Sequence, residues 1–213
     1  MSIGDAEIKT QERVIRFFKD PEILGYQYIG NLSDYQNKNI KEDRLRQYLR
    51  LKGYADKLID AAVVQLQQEA GNLSRGLYDA NKTVYSRLKY GIPVSESPEK
   101  PPVTVQLIDE ENPLNNDFAI AEEVTVVEQQ EKRPDLVIYL NGIAVAVIEL
   151  KRSSISVSEG IRQNLTNQKD SFIRGFFTTM QFCMAGNESE GLRYGTLLTG
   201  EKFYMEWKDD GFK

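Results

Sequence analysis

The chain has 213 residues, 28% charged and 40% hydrophobic, with a net charge of −5, one cysteine and no histidine. That is enough chain for a sizeable core, while the missing histidines exclude Ser-His-Asp and Cys-His catalysis and His-ligated zinc, and a lone Cys183 excludes an internal disulfide or a cysteine-rich zinc site. The acidic balance argues against a surface that coats polyanions; without an apolar leader or a membrane-length apolar run, the protein is expected to be soluble and intracellular, with no membrane partner.

Helical periodicity opens the chain. "TQERVIRFFKD" sets Val14, Ile15, Phe17 and Phe18 on one stripe behind a Thr10 N-cap, and Pro21 stops it. Residues 25–39 are aromatic and turn-rich, which suits a short strand or an ordered loop. Helices are predicted again over "KEDRLRQYLRLKGY", over "DKLIDAAVVQLQQEAGN" with its Gly71-Asn72 stop, and from Ser74 to Tyr90, closed by Gly91. Residues 92–102 hold four of the seven prolines and form the clearest connecting segment. Beyond them the period becomes strand-like in "VTVQLID", "EEVTVVEQQ", "DLVIYLN" and "IAVAVIELK". The stretch from Ile108 to Glu123 is acidic without opposing Lys or Arg and is expected to be a solvated loop. A helix broken near Gly175 is predicted from Ser158 to Gln181, and a last strand pair in "YGTLLTGEKFYMEW". The domain reading is one unit: a helical part over 1–91, a connection over 92–102 and a core over 103–213.

The most informative stretch is "RPDLVIYLNGIAVAVIELKRSS". Asn141-Gly142 is a hairpin signal between runs that are apolar on both faces, so the hairpin should be central and covered above and below. Its ends nevertheless carry Asp135, Glu149 and Lys151, where unpaired charge is costly. Glu149 and Lys151 share one strand face. Asp135 joins them only if the register is odd; a two-residue loop pairs Leu140 with Ile143 and leaves Asp135 on the wrong face, so a three-residue loop is predicted. Two converging carboxylates need a cation. Mg²⁺ suits oxygen donors and keeps positions open for water and a phosphate, with the Leu150 carbonyl as a third protein ligand. Lys151 beside it is suited to orienting or deprotonating an attacking water and stabilising the transition state of phosphodiester cleavage. The same pattern alone also fits ion pairs at strand ends.

Pro134-Asp135 followed by Glu149-Leu150-Lys151 resembles the PD-(D/E)xK nuclease signature. More narrowly, the chain resembles the N-terminal endonuclease region of the R subunit of type I restriction enzymes, through "NKTVYSRLKYGIPV", "RPDLVIYLNGIAVAVIELK" and "LRYGTLLTGEKFYMEWK", from about Lys9 to Lys208. The resemblance implies an α/β (α+β) restriction-endonuclease-like core, a mixed sheet flanked by helices. It implies a cytoplasmic, prokaryotic, Mg²⁺-dependent DNA endonuclease serving defence against foreign DNA. Asp135 and Glu149 would bind metal and Lys151 would assist attack. Its partners would be double-stranded DNA, methyltransferase (M) and specificity (S) subunits, and ATP-driven motor domains of a longer chain, of which this would be a fragment; no G-x-x-x-x-G-K-[ST] loop occurs here. Relatives carry Gln-x-x-x-Tyr on the next helix. Gln163 matches the Gln, Asn167 stands in place of Tyr, and Gln168 competes with Gln163 for the role. An acidic residue on the first helix binds metal in some relatives; Glu12 is the candidate here, though its position reads better as an exposed helix glutamate. A stand-alone repair nuclease of this fold, or a silent nuclease-like module for binding DNA or subunits, are the alternatives. The basic run Lys41, Arg44, Arg46, Arg50 and Lys52 reads as a solvated helix face, the Phe172, Phe176, Phe177 and Phe182 group as core, and Trp207 as packing under the sheet edge.

Overall fold

The computed structural model of the chain describes residues 3–97 and 99–208, with side chains from residue 8 onward. From the N terminus run helix α1 (Ile3–Lys19), strand β1 (Gln27–Asn31), and helices α2 (Glu42–Leu51), α3 (Asp56–Gly71) and α4 (Leu77–Tyr90). There follow strands β2 (Ile92–Val94), β3 (Val103–Val105), β4 (Phe118–Glu122), β5 (Val126–Val127), β6 (Glu131–Lys132), β7 (Leu136–Leu140) and β8 (Ile143–Leu150). Helix α5 (Val157–Asn167), a 3₁₀ segment Arg174–Thr179, and strands β9 (Phe182–Asn187), β10 (Gly191–Gly195) and β11 (Met205–Glu206) complete the chain.

The architecture is α/β, built on a mixed seven-stranded sheet in the order β1-β4-β7-β8-β9-β10-β11. The β7–β8 hairpin lies at its centre, as its two apolar faces require. Alternation assigns each face. Ile120, Leu136, Ile148, Leu150 and Met184 pack under Ile15 of α1, while Ala119, Ala121, Val137, Tyr139, Val147 and Cys183 face Phe176, Phe177 and Met180. Helix α5 covers the second face through Val157 and Ile161 against Ala185. Its start is capped by Ser156, whose side chain accepts the Ser158 N–H. Helices α2, α3 and α4 form a separate core with Ile143, at the turn end of the hairpin.

Several expectations are corrected. Thr10 lies inside α1, which begins well before it, and is buried there. The acidic stretch before Glu123 is not all loop: its end is β4, paired with both β1 and β7, and Glu122 accepts hydrogen bonds from Tyr28 and Gln11. The strand expected in "EEVTVVEQQ" shrinks to the two-residue β5, which pairs with β6 outside the main sheet. Strands β2 and β3 pair antiparallel, with Ile92, Val94 and Val105 buried against the helical core. The helix predicted to Gln181 ends at Asn167, and β9, parallel to β8, lies where Ala, Gly and Asn in "FCMAGN" carry little strand propensity.

The hairpin loop is the most consequential correction. It has two residues, Asn141 (φ 52°) and Gly142 (φ 82°), and Leu140 pairs with Ile143. That is the even register, which alone would separate Asp135 from Glu149. Between Tyr139–Ala144 and Ile138–Ala146 the register slips by one, leaving Val145 unpaired as a β-bulge. From there on Val137 meets Val147 and Leu136 meets Ile148, so the next pair outward is Asp135 with Glu149. The odd register arises from the bulge and not from the loop. The bulge is held from outside, since the Val145 carbonyl accepts the Gln181 N–H at 2.7 Å. Gly142 is fixed too: any Cβ there would lie 2.6 Å from the Lys41 carbonyl oxygen.

Candidate active site

The far end of the hairpin, about 20 Å from the turn at roughly 3.3 Å per residue, brings Asp135, Glu149, Leu150, Lys151 and Gln163 together. The Asp135 Oδ2 accepts the Leu150 N–H at 2.6 Å, and the Lys151 Nζ donates to the Leu150 carbonyl at 3.0 Å. Backbone donation from Lys151 to Gly186 at 2.9 Å extends the β8–β9 ladder one residue, which fixes where that lysine leaves the sheet. Gln163 on α5 donates through Nε2 to Glu149 Oε2 at 2.7 Å.

Glu149 is completely buried, and its Oε1 has no hydrogen-bond partner. Burial, followed by the charge of Asp135, holds its carboxyl well above the usual carboxylate range, with Lys151 opposing the shift. A buried carboxylate with one oxygen unsatisfied, beside a second carboxylate and a backbone carbonyl, is an all-oxygen donor set that a proton or a hard cation would complete. Among the described residues no group of three His, Cys, Asp or Glu side chains converges for a metal, so the protein donors would be two carboxylates and the Leu150 carbonyl. These residues fit a divalent ion that keeps water ligands.

On the first helix, the reading of Glu12 as an exposed glutamate holds, and a neighbouring residue reaches the acidic strand end. Glu12 is exposed on α1. Its buried neighbour Gln11 reaches Glu122 Oε2 at 2.9 Å and Glu123 Oε1 at 3.2 Å. Glu123 itself has φ 51°, a left-handed conformation unusual for a side-chain-bearing residue. Its N–H donates to the Asp135 carbonyl at 2.8 Å, and its Oε2 lies 2.7 Å from Arg133 Nε. Glu123 also adds, as the smallest contribution, to the negative field on Glu149. A signal for Gln11 existed: it precedes Ile15 by four positions, on the buried side of α1. Glu123 had none, because its place depends on how β4 ends beside β7.

Of the two glutamines considered on and after α5, Gln163 faces Glu149. Gln168 is buried and structural, donating to the Asn164 carbonyl at 3.1 Å and accepting the Leu198 N–H at 2.8 Å. Asn167, at the end of α5, is buried, and its carbonyl accepts the Ile173 N–H at 3.2 Å. Beside the site a cleft of about 420 Å³ is lined by Lys132, Lys151, Gln163, Thr166, Asn167 and Phe172, among others. The basic run on α2 is engaged structurally: Arg44 pairs with Asp117, Arg46 with Glu42 and Asp60, Arg50 with Asp56, and Lys52 with Asp109. Phe176 and Phe177 are core, Phe182 is exposed, and Phe172 is half-buried. Trp207 packs edge-on against Tyr194 and stays half exposed. No helix among the described residues is long and apolar enough to cross a membrane.

A family model described as the N terminus of type I restriction enzyme R proteins matches residues 7–203. The chain is 34% identical over 97 residues to the putative type I restriction enzyme MjaIXP endonuclease subunit of Methanocaldococcus jannaschii, covering 42% of this chain and 9% of that protein. It is 29% identical over 112 residues to the type I restriction enzyme SsaAORF53P endonuclease subunit of Staphylococcus saprophyticus, 50% of this chain and 12% of that one. A Staphylococcus aureus relative, the SauMSSORF170P endonuclease subunit, is 27% identical over 111 residues, with 50% and 12% covered. The matched segments are therefore small parts of much longer proteins.

Proposed function

The chain belongs to the family of type I restriction enzyme R protein N termini, and from that premise we propose that it is the DNA-cleaving domain of such a subunit, hydrolysing phosphodiester bonds with a divalent metal ion. The observation that carries this reading is the Asp135–Glu149 pair, which the Val145 bulge brings to one strand face, with Glu149 buried and its Oε1 unsatisfied. Charges so placed are destabilising unless a cation completes them. In this reading Asp135, Glu149 and the Leu150 carbonyl hold Mg²⁺. When bound, such an ion supplies Lewis-acid polarisation of a phosphate oxygen and activation of water.

The chain's own residues do the rest. Gln163 holds the Glu149 carboxylate through Oε2, and Oε1, which has no hydrogen-bond partner, is the oxygen that would be available to a metal ion. Lys151 extends from the end of the same strand; its Nζ orients the attacking water and offsets negative charge that develops on the phosphate oxygens. The packed sheet and α5 around it exclude bulk water from Glu149, which strengthens each of these interactions. Double-stranded DNA is the substrate in this reading, delivered by methyltransferase and specificity subunits and by ATP-driven motor domains of the longer protein. Cleavage then follows translocation.

The test is plasmid cleavage and ATP hydrolysis by the complete restriction complex, with Lys151→Ala against wild type. Cutting is expected to fall by about 10²-fold or more with ATP hydrolysis retained. Unchanged cutting would put the nuclease site elsewhere and leave this domain a silent binding module. A second readout is independent of activity: Mn²⁺ should raise the melting temperature of the wild-type protein and leave that of Glu149→Gln unchanged.

A further inference from the structure

Resting on that reading, we propose that Lys132, seated on the ring of Phe172, is a phosphate-positioning residue that holds the DNA backbone beside the scissile phosphate. Lys132 belongs to no motif of the sequence. It stands three positions before Asp135, on β6, and lines the same cleft as Lys151 and Gln163.

Charge accounting singles it out. Arg162, also in the cleft, is committed to Glu159 at 2.8 Å and to Glu201 at 2.8 Å. Arg133, next in sequence, is committed to Glu123. Lys132 has no ion pair among the described residues; its Nζ lies 4.9 Å from the centre of the Phe172 ring. A cation over an aromatic face is held in place yet keeps its N–H donors for an anion. A phosphate is such an anion, and each one neutralised releases counterions from the DNA.

The seat is held by two hydrogen bonds between the segments that carry Lys132 and Phe172. The Gln129 N–H donates to the Phe172 carbonyl at 3.2 Å, and the Gly175 N–H donates to Glu128 Oε2 at 2.8 Å, so the β5–β6 hairpin and the segment after α5 are tied together. Thr166 and Asn167 lie three and four positions after Gln163 and line the same cleft, with neutral donors along the wall. The cleft's size, about 420 Å³, matches a nucleotide and not a whole duplex.

The test uses the complete restriction complex, measuring cleavage rate against salt concentration together with ATP hydrolysis, for wild type, Lys132→Ala, Lys132→Gln, Lys132→Arg and Lys151→Ala. Both neutral variants are expected to cut about tenfold more slowly at moderate salt, with the salt dependence reduced by about one phosphate contact, and Lys132→Arg to restore most of the rate. ATP hydrolysis should stay at the wild-type level throughout, which separates lost positioning from lost folding. Wild-type rates and salt dependence in both neutral variants would overturn the proposal, as would an Arg variant as slow as the Ala one. Full cutting by Lys151→Ala would instead overturn the underlying nuclease reading.

Discussion

Gly160→Ala should destabilise the protein, although alanine is the better helix former by about 0.8–1.0 kcal/mol. Gly160 lies in α5 where that helix meets β8 and β9. A Cβ there would stand 2.9 Å from the Ala185 Cβ and 3.4 Å from the Glu149 carbonyl oxygen. Carbon atoms in contact prefer roughly 3.5–4.0 Å, so the helix must retreat by about 0.6 Å or more. Overpacking of this kind costs about 1–3 kcal/mol, which exceeds the propensity gain in most of that range. A net loss of about 1 kcal/mol corresponds to a melting temperature lower by about 2–4 °C for a protein near this size. The same retreat would lengthen the 2.7 Å bond from Gln163 to Glu149 toward about 3.3 Å and weaken it. Thermal melting followed by far-UV circular dichroism decides the sign, and the cleavage rate of the complex should fall in parallel. A higher melting temperature for Gly160→Ala would refute the close approach of α5 to Glu149.

Stability should also depend on pH through Glu149, whose carboxyl is held above its ordinary value of 4.5 by burial and then by Asp135. The folded protein keeps this proton when the unfolded chain has lost it, so the contribution is fully present below the unfolded value and is lost as pH rises toward the folded one. Without metal, wild type should melt lower at pH 8 than at pH 5, and Glu149→Gln should show a shallower decline; parallel curves would refute this. Asn141→Gly keeps the turn conformation but removes the donor to the Leu107 carbonyl at 2.8 Å and the acceptor for the Asp117 N–H at 2.7 Å. It should cost about 2–4 kcal/mol in urea unfolding because the buried Leu107 carbonyl and the part-buried Asp117 N–H are left unsatisfied, and a cost under about 1 kcal/mol would show that only the backbone matters there. Burial pushes the Cys183 thiol up to about 12. A thiol reagent at pH 8 should therefore leave the folded protein unlabelled and modify it once it is unfolded in urea, with prompt native labelling as the contrary result.

The sequence by itself determined the elements whose signal is local. Amphipathic periodicity placed α2, α3 and α4, the Asn141-Gly142 pair placed the turn, and apolar residues on both faces made the hairpin central. The absence of histidine, with carboxylates and a lysine at the hairpin ends, narrowed the chemistry to an oxygen-donor site. What it did not determine lay in pairings between distant segments. Strand β9 has few strand formers and exists because β8 and α5 bury it. The acidic end of β4 reads as solvated until Gln11 and Tyr28 are brought to it by α1 and β1. The meeting of Asp135 with Glu149 depended on one unpaired residue, Val145. A strand's period of two makes a single inserted residue reverse every side chain beyond it, and whether a residue is inserted is settled by its partners: here the Gln181 N–H that takes the Val145 carbonyl, and the two faces of the sheet that must each close. Those partners are far away in sequence, so only the tertiary structure could choose the register.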